Sequence, residues 1–179
     1  MIIISLGSNV SGAWGNSDAT ILQAFGELES AGISVLRRSR LYRTKPYGIR
    51  NQPDYINGAA AIFASLSPIA LLSLLKRIET KAGRRSRVRW GPRPLDLDII
   101  DYHKRILNWS KPDRQAAFQS NMLDLILPHP AIGNRPFVLQ PILDIAPHWH
   151  HPVYGWTASQ FLKRLRFAEM GRILEPVTV

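Results

Sequence analysis

The stretch G-R-R-S-R-V-R-W-G-P-R-P-L-D-L-D-I-I, residues 83–100, changes character along its length. Its first part carries five arginines, Arg84, Arg85, Arg87, Arg89 and Arg93. Its second part alternates the carboxylates Asp96 and Asp98 with the aliphatic side chains Leu97 and Ile99. That period of two predicts a strand over residues 95–102, with both carboxylates on one face and the aliphatic pair on the other. Side-by-side carboxylates repel unless a positive charge lies between them. Mg²⁺ meets that need, because it takes one or two carboxylates together with phosphate oxygens. The arginines add planar, permanently charged forks that match phosphate. In outline this is a polyphosphate site with metal carboxylates behind a basic loop.

Upstream, Ser67 and Pro68 read as an N-cap followed by proline at the first helical position. Leu71, Leu72, Leu75 and Ile78 make the buried stripe of that helix, and Gly83 closes it. Residues 55–64 read as a strand, with Tyr55 and Asn57 on one face and Ile56, Ala60 and Ile62 on the other. Residues 44–54 hold two prolines and a glycine and read as a long loop. Before it come a half-exposed strand over residues 33–42 and a helix over 17–31, capped by Ser17 and closed by Gly32. That helix would bury Ile21, Leu22, Phe25 and Leu28. An isoleucine-rich strand opens the chain at residues 1–6.

The order is β-α-β-β-α-β. It predicts an α+β, ferredoxin-like sandwich, an antiparallel sheet with two helices on one face and the other face open for a ligand. C-terminal additions follow. A tight turn at residues 103–105 precedes a returning strand at 106–109. Residues 109–123 form an insertion, and residues 136–145 a helix that Pro141 would interrupt early. A short basic helix spans 157–167, and residues 168–179 read as a tail. The whole, residues 1–179, is expected to be one domain.

Composition narrows the function. The chain has no cysteine, which excludes disulfides, thiolate catalysis and cysteine-based zinc sites. No apolar run reaches the ~18 residues of a membrane span, and M-I-I-I-S-L-G-S-N lacks the basic start of a signal peptide. A cytoplasmic location without membrane attachment is expected. The net charge of +10 calls for anionic partners. It is concentrated, with eight basic residues between Lys76 and Arg93 against Glu79 alone.

Five blocks in order give a sharper reading. They are L-G-S-N at 6–9, Y-R-T-K-P-Y-G at 42–48, Q-P-D-Y-I-N at 52–57, R-W-G-P-R-P-L-D-L-D at 89–98, and P-H-P at 128–130 followed by N-R-P-F at 134–137. With them the chain closely resembles the 6-hydroxymethyl-7,8-dihydropterin pyrophosphokinases of folate synthesis. The resemblance implies a transferase that moves pyrophosphate from ATP to the hydroxymethyl group of the pterin and releases AMP. It implies that Asp96 and Asp98 hold two Mg²⁺ ions on the ATP phosphates and that Arg89 and Arg93 act beside them. Tyr55 and Phe137 would stack on the pterin, while Asn57 and the backbone of Thr44, Pro46 and Tyr47 bond its edge and Trp90 completes the closed site. Glu79, Arg84, Arg87, Arg89, Trp90, Arg93, Ile99, His129 and Arg135 would surround ATP. Many relatives carry an arginine at the third position after the glycine that matches Gly83. Here that position is Ser86, so the division of labour among Arg84, Arg85 and Arg87 stays open. Asp124 likewise stands where some relatives carry an arginine.

The attacking hydroxyl must lie in line with the β-phosphorus, and the developing charge must be neutralised. No protein base stands out, and Asp98 or a water would take the proton. A nucleic-acid-binding sheet is the competing class, since βαββαβ sheets with aromatics also bind RNA. It is disfavoured because the aromatic RNA-binding block is missing and D-L-D repels phosphate without metal. The arginine loop therefore reads as a lid that closes on ligand. No nucleic-acid partner is expected, and the protein is expected to be a monomer. His103, His148, His150 and His151 read as structural residues.

Overall fold

The computed structural model describes residues 1–85, 90–109 and 125–177. Arg87, Arg89, Asp124 and nearly all of the expected insertion at 109–123 lie outside the described residues. The elements are β1 (Ile2–Ser8), α1 (Ser17–Ser30), β2 (Ser34–Arg38), β3 (Leu41–Thr44), β4 (Tyr55–Phe63), α2 (Pro68–Lys81), β5 (Asp96–Tyr102), α3 (Pro136–Ile145), α4 (Ala158–Arg164) and β6 (Ile173–Val177). The strands form one antiparallel sheet in the order β5-β1-β4-β3-β6, with β2 also on β4. This is the expected ferredoxin-like plan with an added edge.

The helix signals in the sequence act much as read. The Ser67 side chain accepts from the Ala70 N–H, and Pro68 opens α2. α1 is capped by Asn16, whose Oδ1 accepts from Ala19 N–H, rather than by Ser17. Its buried face uses Thr20 and Ala24, and Leu22 is exposed. The strand expected over 33–42 is broken in two. At the break Ser39 keeps the ladder to β4, donating its N–H to Ala59 O while its Oγ accepts the Ala59 N–H, both at 2.9 Å.

Side-chain alternation sorts the sheet into two faces. Ile2, Ile4, Leu6, Ile56, Ala60, Ile62, Leu97 and Ile99 meet α1 and α2 in the main core. Ile3, Ala59, Ala61 and Ile100 point the other way, into a second core with α3 and α4. The far face is therefore only half open. The small Ala59 and Ala61 let α3 lie against β4, and the polar end of the same face stays uncovered. α3 runs through Pro141 without a break.

The tight turn expected at 103–105 is present: His103 and Lys104 both adopt left-handed backbone, and Arg105 N–H returns to Tyr102 O. Three local readings change. The segment after it, expected as a strand over 106–109, pairs through Leu107 with Leu127 instead of with β5. The basic helix is shorter than 157–167: Thr157 caps its start in a reciprocal box with Gln160, and Leu165 closes its end. Residues 168–179, read as a tail, contain β6, which pairs with β3 from Leu41↔Val177 to Thr44↔Ile173.

Candidate active site

The polar end of the far face is a row set by register. Asp96 pairs with Gly7, Gly7 with Asn57, and Asn57 with Tyr42. One step along, Asp98 pairs with Ser5, and Ser5 with Ala59. Partners in register share a face, so β5, β1 and β4 bring both carboxylates and Asn57 onto one surface. Gly7 is required by close approach, since a Cβ there would lie 2.7 Å from Asn57 Oδ1. Asn57 is buried and donates its Nδ2 to Thr44 Oγ1 at 2.7 Å.

Cations converge on the carboxylates. Asp96 Oδ1 accepts from Arg84 Nη1 at 2.6 Å and Arg93 Nη1 at 3.0 Å. Burial alone would raise the Asp96 pKa, but Arg93, Lys76 and Arg84 together outweigh it and hold the group well below the usual carboxylate range. Asp98 faces Arg135 Nη1 at 3.4 Å, and Lys76 Nζ and His129 Nε2 at 3.9 Å each. His129 enters through its own N–H, which donates to Ile100 O. Its Nδ1 accepts the Ala131 N–H at 3.1 Å, and its Nε2 is turned to Asp98 and, at 3.4 Å, to Arg135 Nη1. Burial first, and then Arg135, push that ring down to about 4. It is neutral at physiological pH.

Glu79 is expected among the residues that surround ATP. It is almost fully buried, and its carboxylate accepts Lys76 Nζ (2.7 Å), Arg84 Nη1 (2.6 Å) and the Leu97 N–H (2.7 Å). It fixes the cations and strand β5. Ile99 departs from expectation. Its side chain is in the main core, on the face opposite Asp96 and Asp98. Arg84 is drawn onto the carboxylates, whereas Arg85 is exposed.

The end of the arginine loop is pinned to Tyr55, Gln52 and Asn9. Tyr55 Oη donates to Gly91 O at 3.1 Å, and burial raises the Tyr55 pKa. Gln52 Nε2 donates to Trp90 O. Asn9 Oδ1 accepts the Arg93 N–H, and Asn9 Nδ2 donates to Gln52 Oε1 and Pro53 O. Trp90 adopts left-handed backbone and sits over Gly48, where a Cβ would come within 2.7–2.9 Å of its side chain. Tyr47 packs edge-on to Trp90 (6.4 Å) and tilted on Phe137 (5.9 Å). In the 44–47 stretch, Lys45 N–H and Pro46 C=O already bond Arg172 O and the Gly171 N–H.

Lys76, Asn9 and Gln52 are the site residues that sequence reasoning passed over. Lys76 stands one helical turn before Glu79, a spacing that pairs opposite charges. Asn9 and Gln52 lie inside quoted blocks but carry no chemical signature of their own.

The carboxylates fit Mg²⁺. Asp96 and Asp98 share a face and keep 28% and 26% of their side-chain surface exposed. Among the described residues no group of three or more His, Asp or Glu forms a metal cage. A hard ion here would complete its shell with phosphate oxygens and water, as Mg²⁺ commonly does.

Residues 3–147 match the family model described as 7,8-dihydro-6-hydroxymethylpterin-pyrophosphokinase. The chain is 37% identical over 186 residues to the 2-amino-4-hydroxy-6-hydroxymethyldihydropteridine pyrophosphokinase of Synechocystis, covering 99% of this chain and 87% of that protein. It is 40% identical over 145 residues to a folate synthesis bifunctional protein of Arabidopsis thaliana, covering 80% of this chain and 26% of that one. The solved Plasmodium falciparum HPPK-DHPS shares the fold with a TM-score of 0.64 at 15% identity, over 99% of this chain and 47% of that chain. No described helix is long and apolar enough to cross a membrane.

Proposed function

This chain belongs to the 7,8-dihydro-6-hydroxymethylpterin-pyrophosphokinase family, and we propose how its residues move pyrophosphate from ATP to the hydroxymethyl group of the dihydropterin. The hydroxymethyl oxygen forms a bond to the β-phosphorus, the bond from that phosphorus to the oxygen on the α-phosphate breaks, and AMP leaves. The observation that carries this reading is one row of the sheet. Asp96 and Asn57 flank Gly7 on the same face, so the phosphate groups and the acceptor ring have adjoining seats.

On the acceptor side, Asn57, oriented by Thr44, bonds the edge of the pterin. Tyr55 and Phe137 take its faces, with Tyr47 and Trp90 closing the rim. On the phosphate side, Asp96 and Asp98 would hold the two Mg²⁺ ions, which would supply charge neutralisation at the triphosphate. Arg84, Arg93 and Arg135, now resting on these carboxylates, turn their remaining donors to phosphate oxygens. His129 stays neutral. Asp98, or a water held by it, takes the hydroxyl proton. The protein's part is mainly positioning and electrostatic stabilisation.

A coupled assay for AMP tests the reading. AMP release from Mg-ATP should require the hydroxymethyl-dihydropterin. Release that is absent, or that ignores the pterin, overturns it.

A further inference from the structure

The matched family region ends at residue 147, yet the chain returns to the site beyond it. β6 adds a strand to the outer edge of β3, and just before it Gly171 reaches the aromatic rim. Gly171 has a left-handed backbone (φ +68°), and a Cβ there would stand 2.5 Å from Phe137 Cδ1 and 3.5 Å from Tyr47 Cδ2. Its N–H donates to Pro46 O at 3.4 Å, and Arg172 O accepts the Lys45 N–H at 2.9 Å. A single turn therefore touches three parts of the acceptor seat: the 44–47 backbone, the Tyr47 ring and the Phe137 ring. Tyr47 in turn meets Trp90, so the contact extends to the arginine loop.

The geometry points to Gly171 as a positioning residue for the acceptor, setting the distance of the Phe137 ring from the sheet. The inference rests on the pterin reading above. A side chain at this position pushes Phe137 away from its seat and narrows or tilts the slot opposite Tyr55. The pterin meets the Phe137 ring directly, whereas ATP, over β5 at the other end of the row, is reached only indirectly, through Trp90 and through Arg135, whose guanidinium lies 5.9 Å from that ring. The substrate class singled out is the flat heterocyclic acceptor, not the nucleotide.

Two glycines allow the backbone effect to be separated from the contact. Gly155 has nearly the same φ, +70°, but among the described residues nothing lies within 4 Å of its would-be Cβ. Asparagine tolerates left-handed backbone better than other side chains. Gly171→Asn and Gly155→Asn therefore carry similar backbone cost, and only the first meets Phe137. The experiment is steady-state kinetics on the full chain, varying pterin and Mg-ATP separately. Gly171→Asn should raise the pterin KM about tenfold, the scale on which small misplacements act. The ATP KM should stay within about twofold, and Gly155→Asn should match the unsubstituted chain. Should Gly171→Asn fail to fold, Gly171→Ala, which adds only the methyl, is read in the same way. An unchanged pterin KM, or equal rises for both substrates, overturns the assignment. A parent chain with no pterin-dependent AMP release overturns the functional reading instead, so the two failures are distinct.

Discussion

Glu79 accepts the backbone N–H of Leu97 at 2.7 Å, which ties helix α2 directly to the strand that carries Asp96 and Asp98. The same carboxylate holds Lys76 and Arg84. Removing it strands two cations beside a buried strand end. Glu79→Ala should destabilise the fold by about 3 kcal/mol, the cost of breaking a buried ion pair from one side, and should also lower turnover. Glu79→Gln keeps an acceptor for Leu97 and should recover part of the loss. Urea denaturation and the AMP assay read the two effects separately. Equal stability of Glu79→Ala and the parent would rule out this role.

Asp98 stands among Arg135, Lys76 and His129. Asp98→Ala should lower turnover by about 10²-fold or more, as the loss of a principal electrostatic stabiliser does. Near-normal turnover at saturating Mg-ATP and pterin would remove Asp98 from the metal site. A normal pH–rate profile in Asp98→Asn would count against it as the base.

Gly48 lies under Trp90 in left-handed backbone. Gly48→Ala combines backbone strain with a clash and should displace Trp90 from Tyr47. The expected result is a raised pterin KM and a shifted tryptophan emission upon pterin binding. A binding titration indistinguishable from the parent would show that this seat is not used.

Trp149 Nε1 donates to the buried Asp101 Oδ2 at 2.7 Å. Trp149→Phe leaves that carboxylate oxygen without its donor, at a cost of about 1–3 kcal/mol. Both KM values should hold, because the bond lies behind the site in the second core. A selective KM change would contradict that placement.

His151 is buried among aromatic rings, and burial pushes it down to about 4. An unfolded histidine titrates near about 6.5. Between those values the unfolded chain binds a proton that the fold refuses, so stability should fall as pH drops from about 6.5 toward 4. His129 acts with the same sign. His151→Phe should therefore make the acid limb of urea stability shallower without abolishing it. An unchanged limb would exclude His151 as a contributor.

The strand faces and helix stripes were legible because they follow from local periodicity. The alternation at 96–99 put Asp96 and Asp98 on one face, and Ser67-Pro68 announced α2. Leu22 was misread because it lies at the edge of the α1 stripe, where the packing partner decides. β6 was invisible for a related reason. The segment I-L-E-P-V is mostly exposed and holds a proline, and only the free edge of β3 recruits it. Within the site, residue types signalled metal and phosphate chemistry. They did not signal that Glu79 would hold other residues, since a buried carboxylate and an exposed one look alike in sequence.

The break at Ser39 has a consequence for how the site moves. Because β2 and β3 both lie along β4, that strand is hydrogen-bonded on both edges, by β1 on one side and by the β2–β3 pair on the other. β5 has a single strand neighbour among the described residues. Amide hydrogens of β4 should be among the last to exchange with solvent, and those of β5 should exchange through smaller local openings. On the proposed reading, the acceptor ring would meet a stiff strand at Tyr55 and Asn57. On the same reading, the triphosphate would meet Asp96 and Asp98 on a strand laddered along one edge only and steadied on the other by Glu79 at the Leu97 N–H.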